Sequence, residues 1–186
     1  MILLVGLLVG VIVGWIRGGS VEGLGRARLA NERLLFALLL LYLSLPLLAD
    51  LLVLPQLVVR GVWFGCLGAL AVVAARNIAS PGLVLVWVGI LLNYAVVSLN
   101  GGMPVGVTAT TAASGLAGDA VLELLDLDPI RHAATGATVV PFLGDVIPLP
   151  LPSPVGAVLS VGDVLLSAGV GWFVSATMVK DASDSQ

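Results

Sequence analysis

Long apolar runs, broken by short polar clusters, organise this chain. Met1–Ile16 carries no charge, and Leu34–Leu54 carries one, Asp50, near its end. Gly61–Ala75 and Leu83–Leu99 follow, separated by the polar turn Arg76-Asn77-Ile78-Ala79-Ser80-Pro81. A last run extends from about Ser160 to Val179. About 20 apolar residues cross the roughly 30 Å of a bilayer's hydrocarbon. Several runs are shorter, so either their ends shift by a few residues or the bilayer thins around them. The pattern predicts an all-α membrane protein, a single domain over 1–180. Its bundle has about five transmembrane helices, near 1–16, 34–54, 61–75, 83–99 and 160–179. A polar tail, 181–186, is expected to be disordered.

Between the fourth and fifth runs lies a long segment, 100–159, that is not a simple span. Asn100-Gly101-Gly102-Met103-Pro104 reads as a turn, because Asn-Gly and Gly-Gly favour positive φ. Thr108 to about Leu127 has moderate helical periodicity and closes at Asp126-Leu127-Asp128-Pro129. It is expected along the interface or as a re-entrant piece. Thr138–Pro154 holds five prolines among alternating apolar residues and reads as extended chain or a short hairpin.

Composition agrees with the membrane reading. The chain has 186 residues, 59% hydrophobic and 10% charged, against about 25% charged in soluble domains. Its mean hydropathy is +1.15. A net charge of −3 offers no basic surface for nucleic acid. Membrane lipids are the expected surroundings. Cys66 is the only cysteine, which excludes an internal disulfide and a thiolate metal site. One histidine and scattered carboxylates suggest neither a metal nor a cofactor.

Charge also sets an expected orientation. A secretory signal carries its positive residues before the apolar run, whereas Arg17, Arg26, Arg28 and Arg33 follow Met1–Ile16. This run therefore reads as a retained helix. With the Arg17–Arg33 loop inside, Arg76 and Lys180 also fall inside, and only Arg60 and Arg131 outside. The positive-inside rule then gives a multi-pass cell-membrane protein with its N-terminus outside and C-terminus inside. Gly6, Gly10 and Gly14, like Gly61, Gly65 and Ala69 or Ser167, Gly171 and Ser175, form small-residue faces that let helices approach closely. The Gly6/Gly10/Gly14 face serves either internal packing or a homo-oligomer.

Two carboxylates stand out. Asp145 has no other charge within ten residues on either side, and Asp163 lies one turn inside the last apolar run. A carboxylate at membrane depth costs on the order of 3 kcal/mol, so such residues usually face a cavity or a partner. Each follows a glycine, Gly144 or Gly162, which permits close backbone approach. The plainer reading makes Asp163 a helix cap and Asp145 part of a turn. Ser160 could cap the last helix equally well, leaving Asp163 free. If the two carboxyls meet, repulsion and poor solvation raise one pKa, so that an acid and a base coexist near neutrality. Such a pair suits water attack on an amide, a proton relay or a cation site. Asn93, Ser98 and Asn100 could complete a pocket, and His132 is either a surface residue or a contributor.

Asn100-Gly101-Gly102-Met103-Pro104, Leu143-Gly144-Asp145 and Ser160-Val161-Gly162-Asp163 together resemble a family of small bacterial integral membrane proteins known only as a domain of unknown function. An outer Asn-Gly turn followed by two aspartates, the second opening the final helix, is also distantly similar to lipoprotein signal peptidase. That likeness implies an aspartyl peptidase acting on a membrane-anchored peptide or lipid substrate. Asp145 and Asp163 would be catalytic; Asn100, Ser160, Gly144, Gly162 and His132 would position the substrate. Here Val139–Pro148 lacks the Asn and Arg that accompany the first aspartate of that family, and Ser160 and Gly162 replace its second-motif Asn and Ala. The same carboxylates would equally serve a transporter, channel or ion-coupled carrier, or a subunit that binds lipid or a partner.

Overall fold

The computed structural model describes residues 2–149 and 157–184, with backbone alone at 26 and 180–184. Among the described residues eight α-helices form: α1 (Ile2–Ile16), α2 (Glu22–Arg26), α3 (Glu32–Leu51), α4 (Gln56–Ala75), α5 (Leu83–Asn100), α6 (Val107–Ser114), α7 (Gly118–Leu127) and α8 (Val161–Asp184). Four of them, α3, α4, α5 and α8, are long and apolar enough to cross a membrane. α1 is equally apolar, but its 15 residues rise only about 22 Å. The structure thus provides four full-length candidates and one short apolar helix where five spans are expected.

The bounds differ from the apolar runs for local reasons. α4 begins at Gln56, behind Pro55 at its N-cap, so Arg60 lies inside the helix. The Arg60 side chain reaches out and its Nε donates to the Pro129 carbonyl at 2.8 Å, which satisfies a charge near a helix end. α3 stops at Leu51 because Val53 adopts a positive φ of 50° before Pro55. α8 continues to Asp184 through most of the expected polar tail; residues 185–186 lie outside the described residues.

The long helices pack in the order α3, α4, α5, α8, α1. Glycine sets the two tightest seams. A Cβ at Gly6 would strike the Ser167 backbone, and one at Gly10 would meet Gly171 and Val174. One at Gly14 would meet Met178, so α1 and α8 run parallel in backbone contact. Of the two uses the sequence allows for this face, the structure shows internal packing, against α8 of the same chain. Gly82 backs onto Gly169 and Gly89 onto Gly162, which makes α5 and α8 antiparallel. By contrast, nothing among the described residues lies within 4 Å of a Cβ built at Gly61 or Gly65.

At one end, Asn77 ties the α2–α3 loop to the α4–α5 turn. Its Oδ1 accepts from Ala30 N at 2.7 Å and its Nδ2 donates to Ala30 O at 3.1 Å. Arg17, Arg28, Arg33 and Arg76 gather at this basic end. The opposite end carries the intervening segment. There α6 and α7 replace the single predicted helix, broken at Gly115, whose φ is +72°. β1 (Met103–Val105) pairs in parallel with β2 (Arg131–Ala133), and β3 (Ile147–Leu149) pairs antiparallel with β4 (Ala157–Leu159). β3 falls within the stretch Thr138–Pro154 that reads as extended, whereas its partner β4 lies beyond Pro154; residues 150–156, which include Pro150, Pro152 and Pro154, lie outside the described residues.

Candidate functional site

α8 does not start level with the end of α5. Gly89 faces Gly162, and Asn93 bonds the first turn of α8. Asn93 is seven residues before Asn100, or about 10 Å along the axis. The first turn of α8 therefore sits near the middle of α5, and β1, at the start of the intervening segment, packs against α5. β1 is buried throughout.

Three polar side chains, Asn93, Ser160 and Asp163, meet in that first turn. Ser160 is fully buried. Its Oγ accepts from Asp163 N at 3.0 Å and donates to Asn93 Oδ1 at 2.8 Å. Asp163 Oδ2 accepts from Ser160 N at 3.2 Å, and its Oδ1 accepts from Asn93 Nδ2 at 2.9 Å. Ser160 and Asp163 thus form a reciprocal capping box, extended by an asparagine of α5. Ser160 does not free Asp163 from capping; the two cap together. Gly162 makes room, since a Cβ there would collide with the Asn93 amide oxygen.

Asp145 lies nearer the loop end. Its N–H donates to Pro104 O at 2.9 Å and its carbonyl accepts from Gly106 N at 2.9 Å, which adds it to the edge of β1. Gly144 allows this approach, because a Cβ there would strike the Pro104 carbonyl. The side chain is 5% exposed, and its Oδ2 lies 3.6 Å from the Nε of Arg131, itself 56% exposed. Oδ1 is buried with no hydrogen-bond partner among the described residues. Burial pushes the Asp145 carboxyl up to about 7, although Arg131 pulls it down; Asp163 and Asp128 add to the rise. Burial, with desolvation of the charged form, is the larger cause.

The two aspartates therefore lie within each other's electrostatic reach, but no hydrogen bond joins them. Tyr42 of α3, stacked on Trp63 with centroids 5.7 Å apart, is within reach of both and of Arg131. Asn100 and His132 are engaged elsewhere. The Asn100 amide brackets Val139, donating to its carbonyl at 2.9 Å and accepting from its N–H at 2.8 Å. His132 sits against Gly102, with its pKa lowered first by burial and then by Arg60. Among the described residues, no three His, Cys, Asp or Glu side chains are placed to share a metal ion.

Sequence reasoning missed Arg131 and Tyr42. Arg131 is one of only two basic residues expected at this end, which was the available signal for a counter-ion. Tyr42 lies in a leucine-rich run that gives none.

Apolar helices of spanning length, with polar groups sequestered among them, define a helical membrane protein. The chain belongs to the DUF5317 family, a family of unknown function, whose pattern matches residues 26–175. Every residue of the polar cluster falls inside that match, and α1 falls outside it. Comparison with curated proteins and with solved structures returns no match.

Proposed function

We propose that this protein is an ion-coupled membrane carrier in which Asp145 takes up and releases a proton. The observation that carries this reading is the buried Asp145 Oδ1, unpartnered among the described residues. A polypeptide substrate cannot touch an oxygen so enclosed, whereas a proton relayed by water can. Burial brings this carboxyl into the range where it exchanges at neutral pH. Exposed Arg131 pairs with Asp145, and within electrostatic reach of Asp145 lies the bonded group Asp163, Asn93 and Ser160, halfway along α5. A chain of ionisable groups descending into a bundle suits a proton or cation path. The basic end faces the cytoplasm in this reading, with both aspartates on the outer half. A protomer this small works as an oligomer, through a face other than Gly6/Gly10/Gly14.

Reconstituted into vesicles holding a pH-sensitive dye, the wild-type protein is expected to pass protons under an imposed potential. Asp145→Asn is expected to stop that flux. Equal flux in the two proteins, or none above empty vesicles, overturns the proposal.

An aspartyl hydrolase is the second reading, favoured by the mutual electrostatic reach of Asp145 and Asp163. Asp145 would serve as acid and half-buried Asp163 as base toward water. Ser160, Gly144 and Gly162 would shape the site for a membrane-anchored peptide or lipid. Asn100 and His132 would have to leave their present contacts to help. Cleavage of such a substrate, lost in both Asp145→Asn and Asp163→Asn, would select this reading over the carrier.

A further inference from the structure

At the basic end, α3 begins with an unusual combination of order and unspent charge. Asn31 adopts a left-handed conformation (φ 59°) as its N-cap. It is held by Arg76, whose Nη1 donates to Asn31 Oδ1 at 3.1 Å, while Asn77 grips Ala30 from both sides. The loop is therefore fixed against the α4–α5 turn. Arg28 and Arg33 project from it, both exposed, and neither has a side-chain hydrogen bond or ion pair among the described residues. They line a shallow cleft of about 490 Å³ with Leu29, Asn31, Glu32 and Leu34. Glu32 sits at the start of the helix, where the macrodipole favours a carboxylate.

The cleft is the foot of a longer track. Phe36, Leu40, Leu43, Leu47 and Leu51 follow Arg33 at spacings of three and four, which places them on one face. They are between 67% and 73% exposed. α3 packs mainly on α4, so this face runs uncovered from the arginines to the far end of the helix. A fixed loop carrying two exposed guanidinium groups at one end of an uncovered apolar helix face matches one kind of molecule.

We infer that Arg28 and Arg33 hold the phosphodiester of an anionic phospholipid whose acyl chain lies along the Phe36–Leu51 face of α3. The inference rests on α3 spanning the membrane and not on the proton role of Asp145, so the two can fail separately.

The test uses full-length protein in neutral detergent, titrated with phosphatidylglycerol or phosphatidylcholine and followed by native mass spectrometry. Phosphatidylglycerol is expected to bind roughly tenfold tighter or better. Arg28→Gln/Arg33→Gln should weaken it about 30-fold, while Arg28→Lys/Arg33→Lys keeps most of the affinity and shows that the fold survives. Millimolar inorganic phosphate, which lacks the acyl chain, should not displace the lipid. Unchanged binding in the Gln variant, equal affinity for the two lipids, or displacement by inorganic phosphate would each overturn the inference.

Discussion

Replacing Asp145 by asparagine removes one charge from the polar cluster and keeps its shape. In the folded protein burial raises this carboxyl from 3.8 to about 7. Below the lower value both folded and unfolded chains carry the proton, and between the two only the folded chain does. Stability therefore falls as pH rises through this window and levels off above about 7. Three pH units, at somewhat over 1 kcal/mol each, set an upper bound of about 4 kcal/mol. An asparagine side chain in this place has no charge to desolvate and lacks the loss. The Asp145→Asn variant should match the wild type near pH 4 and exceed it by about 2–4 kcal/mol near pH 8. Denaturant unfolding in detergent, followed by tryptophan fluorescence across that range, reads the difference directly. Parallel pH profiles for the two proteins would refute the reasoning, because they would mean that Asp145 titrates alike in both states.

Other perturbations test the neighbouring contacts. Arg131→Gln removes the group that holds the Asp145 pKa down, so the pH window of the wild type should move upward; an unmoved midpoint would show that the 3.6 Å pair carries no weight. Gly162→Ala should cost about 2 kcal/mol by displacing the Asn93 amide, and adding Asn93→Ser should recover part of that loss in the same unfolding assay. Gly10→Val should separate α1 from α8 and cost about 3 kcal/mol, visible as a lower melting temperature. Asn100→Ala should cost about 1–2 kcal/mol by releasing Val139, with proton flux unchanged in vesicles.

The apolar runs carry most of the fold on their face, because spanning helices must be continuous and uncharged. Their ends are less legible, and Arg60 shows why. A guanidinium inside α4 is tolerated only because Pro129, distant in sequence, supplies a carbonyl. The β1–β2 pair is invisible in sequence, since three-residue strands have no room for alternation. It is nevertheless the pairing that places β2, and hence Arg131, on one edge of β1 while Asp145 bonds the other edge, so that their ion pair reaches across the strand. Both aspartates and their glycines were readable from isolation in apolar surroundings, and the two glycines do serve close approach. The Ser160–Asp163 capping box was also present as S-x-x-D; it is reciprocal, so the two residues are not competitors for one task. Asn100 is a site candidate through the likeness to lipoprotein signal peptidase, and in the fold its amide bonds Val139.

The central claim is that Asp145 exchanges a proton near neutral pH from a buried position. Infrared difference spectroscopy of the protein in lipid, titrated from about pH 5 to about pH 9, reads a protonated carboxyl directly. A carboxyl band that disappears with a midpoint near 7 and is absent in Asp145→Asn is the predicted result. A band that is missing throughout this range, or that persists unchanged in the variant, would contradict the account.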